Sequence, residues 1–190
     1  MFFRRKRGEF ESSADEVPIN AAGDKGWVVV LQSPALMIDP TVLEEEWNRG
    51  IDATTRLYEE YFNEASKSGP GTPQLKLVNS FRNESLQGGY LRHRSRHHEN
   101  NGYEPYYVTE TGSTFVLAPD HSTPEGIAAG KSCIIAWLNG GLPLPTWAAK
   151  RYGTSFLENP FLPRDGFAEI AVNVPAQLKL AVKEEEVRRL

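Results

Sequence analysis

The chain has 190 residues, 39% of them hydrophobic and 24% charged, and a net charge of −4 at neutral pH. Those values describe one ordinary folded domain with room for a buried core, and they exclude a protein that binds nucleic acid through a global positive field. The single cysteine, Cys133, excludes an intrachain disulfide, and no apolar run reaches the ~20 residues of a membrane-spanning helix.

Residues 1–24 read as a flexible tail. Arg4-Arg5-Lys6-Arg7 is followed by Glu9, Glu11, Asp15 and Glu16 without any period. The basic start lacks the apolar core of a secretory signal, so a cytoplasmic protein without membrane contact is expected. Trp27 to Ile38 is the first strand; Val28 to Leu31 is a continuous β-branched and apolar run, as in a strand covered on both faces. Pro34 marks a bulge or an edge within it.

Asp39 and Pro40 predict a helix start, with Asp39 as the cap. Leu43, Trp47, Ile51, Thr54, Tyr58 and Tyr61 recur at helical spacing, so one long helix is expected as far as Ser66. The run 68–73 is a loop, and Leu75 to Phe81 alternates as a second strand.

Phe81 to Ala118 is the most distinctive stretch, read as a hairpin. Gly88-Gly89 precedes a dense basic segment, Tyr90 to His98, then the turn Glu99 to Gly102 and a β-branched and aromatic run that ends as a third strand, Tyr106 to Leu117, interrupted by Gly112. In an extended chain Arg92, Arg94 and Arg96 share one face, where three guanidinium groups can track phosphates with paired hydrogen bonds. Tyr90, Tyr106 and Tyr107 supply rings that stack on bases or pack, and glycines 88 and 89 allow close backbone approach. The candidate RNA-binding residues are therefore Arg82, Gly88, Gly89, Tyr90, Arg92, Arg94, Arg96, His97, Tyr106 and Tyr107.

Ser122 and Glu125 have capping-box spacing, with Pro124 as the first helical residue, and a second helix runs through Leu138 to a stop at Asn139-Gly140-Gly141. Gly126 and Gly130 each weaken it by about 1 kcal/mol against alanine. Cys133 lies in its apolar part and reads as a small buried hydrophobe. Trp147 to Tyr152 suggests a helical turn, 159–166 a long turn, and Phe167 to Val174 the last strand. Residues 176–190 are a C-terminal segment of good helix formers. Strand, helix, strand, strand, helix, strand is the order of a ferredoxin-like, RRM-like α+β domain, placed at residues 25–175.

No catalytic, metal or cofactor motif emerges. Asp39 is a helix cap and Asp165, before Gly166, a turn residue. His93 and His97 have a metal-like spacing, but no cysteine or carboxylate cluster accompanies them. Gly130-Lys131-Ser132 lacks the upstream glycine spacing of a phosphate loop. One rival reading makes a histidine among His93, His97 and His98 the acid or base of a metal-independent RNA endonuclease. Another makes the arginines a docking surface for an acidic protein.

The segments WVVVLQSPALMI, GGYLRHR, YYVTETGSTFVLA, GLPLPTW and NPFLPRDGFAEIAVN together resemble RAMP-superfamily subunits of type III, III-D-like, CRISPR effector complexes. The resemblance runs from about Gly26 to Val174. Leu31 to Leu36 matches the end of the family's first strand, with Pro34 where the family carries aspartate, and Thr111 to Leu117 matches its later Gly-Ser strand. Such subunits are ferredoxin-like and often paired in one chain, whereas this chain has room for one unit. The resemblance implies a structural RNA-binding subunit in antiviral defence that contacts guide RNA, neighbouring effector subunits and, in some positions, target RNA. No matched motif carries over a cleavage residue or a cofactor.

Overall fold

The structure is a computed structural model that describes residues 13–19, 23–67, 73–87, 106–155 and 159–174. In chain order they form β1 (Val17–Pro18), β2 (Lys25–Leu31), α1 (Pro40–Asn48), α2 (Thr54–Ala65), β3 (Leu75–Phe81), β4 (Glu84–Gln87), β5 (Tyr106–Thr109), β6 (Thr114–Pro119), α3 (Pro124–Gly140), α4 (Thr146–Tyr152) and β7 (Ile170–Val172). It is a mixed α+β architecture around an antiparallel sheet. β2 lies at its centre, with β6 and then β3 to one side and β7 on the other; β1 also pairs with β2. The pair β4–β5 forms a separate two-stranded ribbon.

Alternation along β2 decides the layers. Trp27, Val29 and Leu31 join Phe115 and Leu117 of β6 and Leu75 of β3 in the main core, against Leu57, Tyr58, Tyr61 and Phe62 of α2 and Ile134 and Trp137 of α3. Val28 and Val30 point the other way and pack with Val116, Ala118, Ile19 and Val17. Both faces of β2 are therefore buried, as its unbroken apolar run requires.

The long helix expected from 39 to 66 is two helices. Gly50 takes φ 76°, which a helix does not tolerate, and α1 stops at Asn48 before α2 begins at Thr54. The shared apolar face fails with it: Trp47 and Ile51 are 69% and 48% exposed, whereas Tyr58 and Tyr61 are buried. Asp39 caps α1 by accepting from the Thr41 amide at 2.9 Å, as its position before Pro40 suggests. α3 is capped one residue later than expected, by Thr123 accepting from the Gly126 amide, and it ends at Gly141 with φ 77°.

The glycines that weaken α3 have a packing reason. A Cβ on Gly130 would sit 2.9 Å from the Trp27 ring and from Leu75 Cδ2, both fully buried. The missing side chain is what lets the helix lie close on the sheet. Cys133 is half-buried beside that contact, its Sγ donating to the Ser66 carbonyl at 3.6 Å, and burial raises its thiol pKa.

Two stretches differ from the expected pattern. Residues 13–19, read as tail, are held to the domain. Asn173 accepts from the Val28 amide at 2.8 Å, while its side-chain amide donates to the carbonyls of Ser13 at 3.2 Å and Asp15 at 2.6 Å. The last strand is shorter than 167–174, because Ala168 and Asn173 both take positive φ, 57° and 55°. Residues 1–12 and the C-terminal segment 176–190 lie outside the described residues.

Candidate nucleic-acid interface

Of the hairpin expected over 81–118, the described residues 81–87 and 106–118 pair as two antiparallel segments with one bend, while the basic segment Tyr90 to His98 and the turn Glu99 to Gly102 lie outside the described residues. β3 pairs with β6, the chain breaks at Arg82-Asn83 on one arm and Glu110 to Ser113 on the other, and β4 then pairs with β5 from Glu84↔Thr109 to Gln87↔Tyr106. The bend is closed by hydrogen bonds. The Ser113 hydroxyl accepts from the Asn83 amide at 3.1 Å, and the Glu110 amide donates to the Asn83 carbonyl at 2.8 Å. Gly112 supplies the turn with φ 89° and donates to the Leu31 carbonyl at 2.9 Å. Beyond Pro34 the chain leaves β6 for the ribbon: Ala35 exchanges both backbone hydrogen bonds with Thr109, at 2.9 and 2.8 Å.

The ribbon has two unlike faces. Tyr106 and Val108 face a second apolar cluster made by Leu36, Ala148, Tyr152 and Phe161. Tyr106 lies 4.8 Å from the Tyr152 ring and 5.1 Å from Phe161, so it packs and offers no open ring to a base. On the same side Ser85 and Gln87 both donate to Glu110, Gln87 at 2.6 Å. The other face carries Glu84, Thr109, Leu86 and Tyr107. Leu86 is 66% exposed and Tyr107 is half-buried.

Arg82 anchors the ribbon's base. Its Nε lies 3.2 Å from Glu84, its guanidinium sits 5.1 Å over the Tyr58 ring, and it donates to the Ser80 hydroxyl at 2.7 Å. The Tyr58 hydroxyl reaches Glu84 Oε1 at 3.1 Å and Thr109 Oγ1 at 2.8 Å. Burial holds the Tyr58 phenol well above its usual pKa, so it is a neutral hydrogen-bonding group at ordinary pH. The hydrogen bonds of Tyr58 to Glu84 and Thr109 join residues 26 and 51 positions apart, a link no local motif announces.

Of the sequence candidates, then, Arg82, Tyr106 and Tyr107 are in view: the first engaged in an ion pair, the second in a core, the third half-buried at the ribbon's surface. Gly88, Gly89, Tyr90, Arg92, Arg94, Arg96 and His97, with His93 and His98, lie outside the described residues. They belong to the stretch between Gln87 and Tyr106, the last cross-strand pair among the described residues. Asp39 accepts hydrogen bonds as a cap and pairs with Arg151 at 3.5 Å, and Asp165 sits in a short 3-10 turn closed by Gly166 with φ 91°. His121 is exposed beside Asp120, at 3.3 Å.

Among the described residues no group of three or more histidine, cysteine, aspartate or glutamate side chains is placed to hold a metal. No helix among them is long and apolar enough to cross a membrane. Compared with protein-family models, curated proteins and solved structures, the chain matches none.

Proposed function

We propose that this chain is a non-catalytic, RNA-binding structural subunit of a type III, III-D-like, CRISPR effector complex of the RAMP superfamily, built on a ferredoxin-like domain. Two observations support the fold part of this reading: the strand order β7–β2–β6–β3, antiparallel throughout, and helices α2 and α3 in one core against one sheet face. The observation that carries the functional part is the bent hairpin. Its ribbon is anchored on both faces, and the last pair, Gln87↔Tyr106, brackets the sequence that holds Arg92, Arg94 and Arg96.

In this reading those arginines hold the phosphates of guide RNA, giving affinity without reading sequence. Tyr90 and Tyr107 are the rings within reach of a base, while Arg82 and Tyr106 keep the ribbon in place. The remaining surfaces contact neighbouring effector subunits. The protein works in the cytoplasm and needs no cofactor.

The test is anisotropy of a labelled single-stranded RNA titrated across a range of salt. Affinity should fall steeply with salt, and Arg92→Ala/Arg94→Ala/Arg96→Ala should flatten the log–log slope by about 2, since each phosphate contact on a single strand contributes ~0.7. An unchanged slope and affinity in the triple variant would overturn the arginine assignment. Co-expression with neighbouring genes then tests the complex. Repeat-derived RNA in the purified material supports it; a protein free of nucleic acid, purified together with protein partners, supports an interaction module instead.

A further inference from the structure

A second surface lies where α1, α2 and the segment leading into α4 meet. A hollow of about 180 Å³ opens there, and a smaller one of about 110 Å³ adjoins it through Tyr61, Glu64 and Pro145. Its floor is apolar, formed by Met37, Ile38 and Leu57, all buried. One wall is Pro145 with the Trp147 side chain, fixed in part by the Tyr61 hydroxyl donating to the Pro143 carbonyl at 2.9 Å. The opposite rim is α2, where Glu60 and Glu64, four residues apart, stand on one face and are exposed.

The charges around the hollow are unequal in their partners. Asp39 is paired with Arg151 at 3.5 Å, and Glu60 with Arg56 at 2.5 Å. Glu64 accepts from the amide and the hydroxyl of Thr146 at the start of α4, and among the described residues no cation pairs with it. The wider surface has the same sign. Residues 39–67 hold eight acidic side chains (Asp39, Glu44, Glu45, Glu46, Asp52, Glu59, Glu60, Glu64) and three basic ones (Arg49, Arg56, Lys67). Such a surface repels a phosphate backbone within the ~8–10 Å over which charges act in physiological salt.

We propose that this hollow is a docking site for a basic segment of a partner protein, with one arginine side chain inserted. The chemistry of the lining selects that occupant. An arginine has an aliphatic stem that an apolar floor covers, and a planar guanidinium that stacks on an indole and bonds to carboxylates in pairs. Trp147 offers the indole and Glu64 the carboxylate at the mouth, with Glu60, shared with Arg56, one turn away. The site is independent of the RNA reading, because its sign is opposite to that of the Arg92–Arg96 segment.

The experiment is a titration of the ¹⁵N-labelled full chain with an end-blocked, arginine-rich peptide, followed by amide NMR. Saturable shifts are expected at Glu60, Tyr61, Glu64 and Thr146. Glu60→Gln/Glu64→Gln should weaken binding at least tenfold; glutamine keeps the acceptor that Thr146 uses, so the melting temperature checks that the fold is unchanged. A peptide with glutamate in place of arginine should not bind. Equal affinity in the double variant, shifts that map elsewhere, or equal binding of the glutamate peptide would each overturn the proposal.

Discussion

The body of this molecule and its ribbon are held by different forces. In the body, Trp27, Phe62 and Phe115 are fully buried, and ring contacts at 5.0–6.1 Å link Phe62 to Phe115 and Trp137. The ribbon owes one side to a smaller apolar cluster and the other to hydrogen bonds and one ion pair at its base, around Tyr58, Glu84, Arg82 and Thr109. Apolar packing is insensitive to direction, whereas hydrogen bonds fix an angle. The difference means that the ribbon's orientation can be altered by small polar changes without unfolding the sheet.

The largest effect that this contrast predicts is in the body. Phe115→Ala removes a ring shared by α2 and the central sheet and should cost ~3–5 kcal/mol in urea unfolding, lowering protection from hydrogen exchange everywhere. Tyr58→Phe is the sharper test. It keeps the ring in the core and deletes only the hydroxyl, leaving the buried Thr109 without its tyrosine partner, at ~1–3 kcal/mol. The amides of 84–87 and 106–109 should lose protection more than those of β2 and β6; uniform loss would break the distinction between body and ribbon. Leu86→Ala, on an exposed ribbon position, should change stability by less than ~0.5 kcal/mol.

The smallest effect concerns the residues before β1. Lys131 donates to Asp15 at 2.5 Å, and that hydrogen bond with the lysine charge holds the Asp15 carboxyl below its usual pKa. A depressed carboxylate stabilises the fold above its unfolded pKa of ~3.9 and loses that contribution as the pH falls through the folded value. The stability difference between the parent chain and Asp15→Asn should therefore be constant from pH 7 to ~5 and shrink below ~4. A difference that instead grows on acidification would assign the attachment to something other than this pair.

Much of the body was legible because its signals are local. The apolar run of β2, the Asp39–Pro40 helix start, the glycine stop after α3 and the alternation in β3 each depend on neighbours within a few residues. Gly112 was legible as an interruption of the strand 106–117; the bend it belongs to was not, since that is set by Asn83, Ser113 and Leu31, brought together from three separate segments of the chain. Helical spacing carried the reading across Gly50 because period alone is blind to a single left-handed residue. Of the interface, the arginine segment stood out by composition. The seating of Arg82 over the Tyr58 ring, and the burial of Tyr106 against Phe161 and Tyr152, come from tertiary packing that spacing does not encode.

The clamp at Asn173 has a consequence for how the chain matures. β2 is made before β6 and β7, and the side chain that bonds its Val28 amide is 145 residues further on. Until β7 arrives, one edge of the central strand has open donors and acceptors, on the most apolar strand of the protein. Closing contacts of such sequence separation is slow, and the exposed edge is a point for misassociation during synthesis. A partner or chaperone that shields this edge would therefore matter most before β7 is made, and truncation before Ile170 should yield aggregates instead of a smaller folded domain.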